Sequence, residues 1–341
     1  MRGIQLLTLT ALLVQHFVPA SALRFLVVGG TGRVGASTAK HLHVLTTDEG
    51  RGGADLVLAG RSPEAFERSR ARILQQIERI QPAAVPPTVT FQPLDIDTDD
   101  VGGLAAAMSS CGADCVVHTA GPFQQRTRPV LLEASIQAGL PYVDVCDEPA
   151  LCKSSKELHA RAVAAGTPCV TAAGIWPGAS ALMAAEAVTK LRELEGATPT
   201  APCAGEEVEM SFFTAGTGGA GATIVSATFL LLCQAALCYE QGEERDLEPW
   251  TSPRAIDFGK SVGTRKVWLL DNPDVFTIHD ALQVSSLLPL CISNASSGPE
   301  CHPGLCTLTL AFLRNGFECR FPPSVRVLLR HPRPGTSSLA E

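Results

Sequence analysis

The sequence has little charge and few aromatic side chains. Charged residues make up 18% of the 341 positions and aromatic residues 5%, with a net charge of −7. A protein that binds nucleic acid usually carries a strongly basic face, so we expect no nucleic-acid partner and favour a small-molecule substrate. Hydrophobic residues reach 45%, which supports a substantial core, and the length is sufficient for two domains.

No pair of cysteines has the Cys-x-x-Cys spacing that is typical of zinc and redox sites, although twelve cysteines are present. Cys111, Cys115, Cys146 and Cys169 lie in or beside apolar runs, where a thiol behaves as a small hydrophobe. The spacing does not suggest a disulfide framework, and we predict no metal site.

A glycine-rich turn follows the first apolar run of the globular region. Phe25 to Gly35 reads Phe-Leu-Val-Val-Gly-Gly-Thr-Gly-Arg-Val-Gly, a strand that breaks directly into Gly-x-Gly-x-x-Gly. In such a loop the glycines allow a tight turn, the approach of a pyrophosphate and close packing of the next helix, whose N-terminus faces the phosphates. We therefore predict dinucleotide binding by Gly30, Thr31, Gly32, Arg33, Val34 and Gly35.

Apolar strands alternate with helices beyond this turn. After Phe25–Val28, strands are predicted at Asp55–Gly60, Val89–Leu94, Asp114–Thr119, Pro141–Val145 and Pro168–Ala172. Helices are predicted at Ala36–Leu45, Pro63–Ile80, Asp99–Ser109, Arg128–Ala138 and Ser155–Ala165. This alternation predicts an α/β fold with a Rossmann-type doubly wound parallel sheet, whose ligand lies at the carboxyl ends of the strands.

The end of the second strand indicates which dinucleotide binds. A site for NAD usually has an Asp or Glu there to hold the ribose 2′-hydroxyl, but this segment reads Ala-Gly-Arg-Ser and ends with Arg61 and Ser62. A guanidinium and a hydroxyl suit a 2′-phosphate, and Arg33 adds a second positive charge. We predict NADP over NAD. In the alternative interpretation Arg61 is a solvated residue at a helix start.

Two further loops lie at the same predicted sheet edge. Asp95 follows the third strand, where it contacts the adenine or serves as a turn acid; both interpretations stay open. Ala120 and Gly121 lie in a small-residue loop after the fourth strand, where the backbone can approach the cofactor. His118 begins that loop and is interpreted as a core histidine or a proton-exchanging group.

Acidic residues follow the fifth strand. Hydride transfer to a carbonyl or imine requires a group that exchanges a proton with the nascent oxygen or nitrogen. Asp147 and Glu148 are our candidates for this catalytic role, with Asp147 favoured. Glu148 has an alternative role as the cap of the following helix, and Asp144 one as a strand residue that pairs with a neighbouring loop.

Five segments together carry a family resemblance, and they occur in the order Val28–Gly35, Leu58–Ser62, His118–Phe123, Ala138–Asp144 and Gly174–Gly178. The chain resembles the saccharopine dehydrogenase-like NADP-binding family, which includes saccharopine reductases and carboxynorspermidine synthase-like proteins. The resemblance is strong over residues 24–182 and weak to about residue 297. It implies a Rossmann domain followed by an α+β substrate domain, and an NADP-dependent oxidoreductase acting on an imine or carbonyl of an amino-acid-like substrate.

Short-chain dehydrogenases share the glycine loop, but their chemistry uses a Tyr with a Lys four residues later. The two tyrosines here, Tyr142 and Tyr239, are followed at that offset by Cys146 and Glu243. That mechanism is therefore excluded. A non-catalytic dinucleotide-binding sensor or scaffold, and a membrane-associated lipid reductase, remain as alternative functions.

The second half of the chain predicts a strand at Glu206–Phe213, a glycine-rich segment at Ala215–Gly221 and an uncharged apolar helix at Thr223–Tyr239. The glycine-rich segment is interpreted as a substrate-anion loop or a close turn. The helix is at the lower length limit for a membrane span, and its flanks favour a buried or dimer-interface helix. We expect a homodimer. The segment Gly174–Gly178 leads into a helix near Ala179, whose N-terminus is a candidate contact for substrate or nicotinamide, with Trp176 as a pocket wall.

The ends of the chain differ from the middle. Residues 1–22 combine a basic start, an apolar run and an Ala-x-Ala site, the pattern of a secretory signal peptide. We therefore expect passage into the secretory system, to a secreted, endomembrane or complex-plastid location, or a cytoplasmic location if the segment is not used. Residues 301–341 contain no Lys or Asp, which suggests a truncated or disordered tail. The predicted domains are 23–182 for NADP and 183–300 for substrate or dimerisation.

Overall fold

The structure is a computed structural model that describes residues 22–194, 196, 207–213, 226, 229–231, 233–284, 286–291 and 325–330. Almost all of the signal peptide predicted at residues 1–22, the predicted glycine-rich segment 215–221 and most of the tail 301–341 lie outside these residues.

A six-stranded sheet confirms the predicted Rossmann-type fold. Its strands are β1 (Leu23–Val28), β2 (Ala54–Gly60), β3 (Val89–Pro93), β4 (Cys115–His118), β5 (Tyr142–Asp144) and β6 (Cys169–Val170), in the order β3-β2-β1-β4-β5-β6. β1 pairs in parallel with both β2 and β4. The strand order reverses between these two neighbours of β1, and this point is where doubly wound sheets bind their ligands.

Seven helices accompany these strands in the described part of the chain. They are α1 (Arg33–Asp48), α2 (Pro63–Ile80), α3 (Val101–Ser110), α4 (Val130–Ala138), α5 (Pro149–Glu157), α6 (His159–Ala164) and α7 (Ala179–Leu194). The single helix predicted at Ser155–Ala165 is wrong, since two helices are present and the first begins at Pro149. Glu148 caps α5, and proline at the first helical position needs no hydrogen-bonded N–H.

The chain divides into two compact units, each of which is described by itself. The first unit contains Met1–Ala120, Val130–Tyr142 and Ala165–Pro168, and the second unit contains Gly121–Pro129, Val143–Ala164 and Cys169–Glu341. This discontinuous division differs from the predicted boundary at residue 182. The reason lies in packing, because Leu151 and Cys152 of α5 share a hydrophobic core with Ala184 and Val188 of α7.

The core of the first unit is formed by its strands together with buried residues of its helices. Leu26, Leu56 and Leu58 of the sheet and Leu104 and Met108 of α3 are fully buried. Central parallel strands are covered on both faces, which explains why their sequences are nearly continuous apolar runs.

The second unit contains a seven-stranded sheet and one further helix. Its elements are β7 (Glu207–Phe212), β8 (Ala236–Glu240), β9 (Glu243–Leu247), β10 (Arg254–Asp257), β11 (Thr264–Leu269), α8 (Asp274–Leu282), β12 (Ser286–Cys291) and β13 (Val325–Arg330). The order is β10-β11-β12-β7-β13, and β8 pairs with β12 and β9.

Two elements of this sheet differ from the sequence expectations. Helical residues occur at 226 and 229–231, but Ala236–Glu240 forms strand β8 and not the end of the predicted helix. An uncharged apolar run fits a buried strand as well as a buried helix. Val325–Arg330 pairs antiparallel with β7, so this stretch of the tail belongs to the second sheet. Among the described helices, none has the length and hydropathy required to cross a membrane.

Candidate functional site

The glycine loop after β1 is a tight turn. Gly29 has a φ of +79°, in the left-handed region that favours glycine. The Gly30 N–H donates to the Val27 carbonyl at 3.0 Å, and the Gly32 N–H donates to the Gly29 carbonyl at 2.9 Å. These bonds turn the chain from β1 into α1 within four residues.

Close packing explains the last glycine of the loop. A Cβ at Gly35 would lie 2.6 Å from Thr119 Oγ1, and one at Gly29 would lie 2.9 Å from Ala120 Cα. The Thr119 hydroxyl itself donates to the Val28 carbonyl at 2.8 Å. The loop after β4 is therefore packed against the glycine loop, as expected for Ala120, whereas Gly121 begins a segment of the second unit.

The N-terminus of α1 has the properties of a phosphate site. Gly32 is the N-cap of α1, no described side chain caps it, and its first turn has no acidic residue. A Cβ at Gly32 would meet only the Gly29 carbonyl, at 3.1 Å, while Arg33 and Val34 are exposed. The first-turn N–H groups of a helix lack partners within it and favour an anion. A dinucleotide pyrophosphate therefore fits this loop.

Arg61 and Ser62 lie at the end of β2 with carboxylates beside them. The Arg61 guanidinium is 73% exposed, and its Nη1 lies 3.9 Å from Asp97 Oδ2. The Ser62 hydroxyl accepts from the Ala65 N–H at 3.1 Å and donates to Glu64 at 2.7 Å. This hydrogen bond lowers the pKa of Glu64. Ser62 is thus the N-cap of α2, a role that the sequence analysis missed although Ser before Pro at a helix start indicates it.

Asp95 and His118 both make the contacts of their structural interpretations. Asp95 Oδ1 accepts from the Asp97 N–H at 3.1 Å, which is a turn contact. His118 is buried, and its Nδ1 lies 2.9 Å from the Tyr142 hydroxyl. Neither contact tests whether these residues also approach a cofactor.

Glu148 is a buried cap in the second unit, and it is 3% exposed. Its Oε1 accepts from the Ala150 N–H at 3.3 Å, as expected for a cap of α5. Its Oε2 accepts from the Gln125 N–H at 3.3 Å and from Gln234 Nε2 at 2.9 Å. Three segments, around residues 125, 148–150 and 234, therefore meet at one carboxylate.

Asp147 is a half-buried carboxyl next to this cap. Burial raises the pKa of Asp147, the neighbouring Gln124 amide lowers it, and the Glu148 carboxylate raises it. A carboxyl with a raised pKa retains its proton closer to neutral pH, which is the property that a general acid needs.

Asp271 is a third carboxyl in this place, and it is not among the site residues predicted from the sequence. Its Oδ1 accepts from the Leu237 N–H at 3.2 Å. Burial raises the pKa of Asp271 to about 6, with the Glu148 carboxylate contributing in the same direction. In the sequence, Asp271 is visible only as an acid shortly after the strand β11. Its proximity to Glu148 arises only when the unit folds.

The N-terminus of α7 already binds an internal anion. Asp274 is fully buried and accepts from the Ser180 hydroxyl and from the Gly178 N–H, the latter at 3.4 Å. Burial raises the pKa of Asp274 to about 6. The sequence makes this helix start a candidate contact for substrate or nicotinamide, and in the structure the Asp274 carboxylate lies there. Trp176 stacks on Phe212 with ring centroids 5.0 Å apart.

Comparison with known families gives a match over most of the six-stranded sheet. Residues 25–170 match the family model described as the saccharopine dehydrogenase NADP binding domain. Over this segment the chain is similar to that family. The resemblance found in the sequence is therefore confirmed, and the chain carries a dinucleotide-binding domain of an oxidoreductase family.

Solved structures of low identity are similar to this chain. An NAD binding oxidoreductase from Klebsiella pneumoniae is 14% identical, with a TM-score of 0.39, over 82% of this chain and 68% of that chain. GenD2 from gentamicin A biosynthesis, in complex with NAD, is 18% identical, with a TM-score of 0.38 and the same two coverages. The identities are too low to transfer chemistry. No curated protein matches the chain.

The predicted residues of the saccharopine dehydrogenase-type domain thus fall into two groups. In the first unit, the glycine loop (Gly30–Gly35), Ala120, Arg61 and Asp95 all follow the carboxyl ends of strands of the same sheet. The second unit brings together Asp147 and Glu148 and adds Asp271, Gln124 and Gln234. Within the described chain, no group of His, Cys, Asp and Glu has the arrangement of a metal site.

Proposed function

We propose that the protein is an NADP(H)-dependent oxidoreductase that transfers hydride to or from an imine or carbonyl carbon of an amino-acid-like substrate. The observation that carries this proposal is the N-terminus of α1, where Gly32 is the cap and no described side chain covers the first-turn N–H groups. It lies within the segment that matches a dinucleotide-binding family. When bound, the nicotinamide supplies or accepts the hydride.

The first unit has the cofactor-binding role. The first-turn N–H groups of α1 hold the pyrophosphate, and Gly32 keeps the space in front of them clear of a side chain. Arg61 and Arg33 hold the 2′-phosphate that distinguishes NADP from NAD, since guanidinium groups bind phosphate bidentately.

Asp147 has the proton-transfer role. Reduction of an imine or carbonyl leaves a nitrogen or oxygen that must take up a proton, and oxidation requires the reverse. Asp147 is half-buried with a raised pKa, which supports its choice over an exposed carboxylate. Glu148 caps α5 and holds the Gln125 and Gln234 segments in place, so it supports the position of Asp147.

The test has two stages. Calorimetric titration of the full chain with NADPH and NADH is expected to show binding, with NADPH preferred. NADPH oxidation is then followed with carbonyl compounds and with mixtures of 2-keto acids and amines, and turnover of at least one such class is expected. Failure to bind either dinucleotide contradicts the proposal. Binding of NADPH without turnover across the screen instead supports a dinucleotide sensor.

A further inference from the structure

We infer that the second unit binds an alkylammonium group through an acidic cluster formed by Asp147, Glu148 and Asp271 with the side-chain amides of Gln124 and Gln234. The assignment of this ammonium to the substrate rests on the proposed function; the site itself rests on the contacts below.

Like charges meet in the acidic cluster without a compensating cation. The Glu148 carboxylate raises the pKa of both Asp147 and Asp271, which places the three groups in one electrostatic environment. Among the described residues, no Lys, Arg or His forms an ion pair with any of them. Like-charged carboxyls in a buried place are unfavourable unless they are neutralised or paired. A cationic ligand removes this cost.

Two side-chain amides in the acidic cluster have buried oxygen atoms that lack a hydrogen-bond partner in the described chain. Gln124 is 4% exposed and lies beside Asp147, whose pKa its side-chain amide lowers as a hydrogen-bond donor, while its Oε1 has no hydrogen-bond partner in the described chain. Gln234 donates from Nε2 to Glu148, while its buried Oε1 has no partner in the same set of residues. A buried polar group without a hydrogen-bond partner destabilises the folded chain. These atoms therefore indicate a ligand that supplies the missing hydrogen bonds.

The unused atoms select the chemistry of that ligand. An alkylammonium offers three N–H donors and no acceptor, which matches the carboxylates and the two amide oxygens. A carboxylate ligand would be repelled by the three acidic side chains. An alcohol has a single donor and no charge, so it would leave the repulsion between the carboxylates and most of the missing hydrogen bonds unchanged.

The experiment compares three fragments of equal length that differ in charge. Butylammonium, 1-butanol and butyrate are titrated into the full chain and followed by saturation-transfer NMR. We expect butylammonium to bind at least about tenfold more tightly than the other two, which corresponds to about 1.4 kcal/mol. Asp271→Asn and Glu148→Gln are each expected to weaken butylammonium binding by about tenfold or more.

Asp280→Asn is the matched control, because Asp280 is an exposed carboxylate of α8 in the same unit and pairs with Lys156. This variant is expected to bind butylammonium like the parent. Asp271→Asn keeps an oxygen that can accept from the Leu237 N–H, so it tests the acidic cluster even if loss of the α5 cap in Glu148→Gln unfolds the protein.

The inference is overturned if butylammonium binds no better than 1-butanol, or if Asp271→Asn retains the parent affinity. NADPH binding is measured on the same samples. A chain that binds and turns over NADPH but does not select the ammonium contradicts this inference alone. A chain that selects the ammonium but binds no dinucleotide contradicts the proposed function alone.

Discussion

The Gln234 side chain donates a 2.9 Å hydrogen bond to the Glu148 carboxylate across 86 positions of sequence. The bond joins the segment before β8 to the start of α5 within the second unit. Because Glu148 also accepts from the Gln125 and Ala150 N–H groups, its carboxylate is held from three sides. This fixed carboxylate is the neighbour that raises the pKa of Asp147 and of Asp271.

Gly32→Ala is expected to weaken NADPH binding by about tenfold or more, equivalent to about 1.4 kcal/mol. The backbone at Gly32, with φ −81° and ψ 176°, suits alanine, and the new Cβ has one close protein contact. The chain therefore folds, but the methyl group stands where the pyrophosphate approaches. Calorimetric titration with NADPH measures the effect.

Gly102→Ala provides the control for this substitution. Gly102 lies in α3, and its Cβ would meet only Asp100 Oδ1 at an ordinary 3.6 Å. We expect parent-like NADPH affinity in this variant. Unchanged affinity in Gly32→Ala as well would remove the loop from the cofactor site.

Arg61→Ala is expected to reduce NADPH affinity by about tenfold while leaving NADH affinity nearly unchanged, because only NADPH has the 2′-phosphate. Asp97 lies 3.9 Å from the guanidinium and competes with that phosphate, so Asp97→Asn should strengthen NADPH binding. Arg70→Ala is the control, since Arg70 is also an exposed arginine paired with a carboxylate, that of Glu67. Equal losses for the two cofactors in Arg61→Ala would contradict the NADP assignment.

Asp147→Asn is expected to lower turnover by about a hundredfold or more with NADPH affinity nearly intact, the range for loss of a general acid or base. The comparison is kcat against the NADPH dissociation constant, measured with whichever substrate the screen identifies. Glu243→Gln, which changes an exposed carboxylate of β9 paired with Arg245, should leave both quantities unchanged. Full turnover in Asp147→Asn would exclude this residue from proton transfer.

Asp271→Asn is expected to gain stability relative to the parent as the pH rises. Burial raises the pKa of Asp271 from 3.8 to about 6 in the folded chain. Between these two values the folded state therefore binds more protons than the unfolded state. The parent's free energy of unfolding consequently falls as the pH rises through this window, and it stays lower above the window. Asparagine does not titrate, so it escapes this loss, on the order of 1–3 kcal/mol.

Urea unfolding at about pH 5 and about pH 8 measures this difference, with Asp280→Asn as an exposed control. A stability difference between Asp271→Asn and the parent that is the same at both pH values would contradict the assignment. Confirmation would mean that a residue needed for ammonium binding lowers stability at neutral pH, as is common at functional sites.

Local signals in the sequence were sufficient for much of the first unit. Helix α2 has its predicted bounds, Pro63–Ile80, because a Ser–Pro start and regularly spaced apolar residues mark it. The glycine loop identified the dinucleotide site for a similar reason, since its backbone geometry depends on residues adjacent in sequence. The sequence analysis considered Glu148 as the cap of the following helix but placed the start of that helix at Ser155, whereas α5 begins at Pro149.

Strand β8 was predicted as helix because burial on all sides removes the polar residues that reveal a period. Its buried residues Ala236–Tyr239 pack in the second unit. β8 pairs along its length with the neighbouring strand β9 and, at Tyr239, with Leu287 of β12. Asp271 and the two glutamines were likewise invisible as a group, because their meeting with Glu148 depends on packing between distant segments.

The sequence by itself determined the Rossmann-type sheet, the glycine loop and the family, because each is encoded by short segments whose turn geometry and apolar periodicity are local. Only the tertiary structure decided that Ser62 and Glu148 act as caps, that Asp274 occupies the α7 N-terminus, and that three carboxyls share one buried environment. Hydrogen-bond partners and burial are properties of the folded chain, and they set both the pKa of a carboxyl and its availability to a ligand.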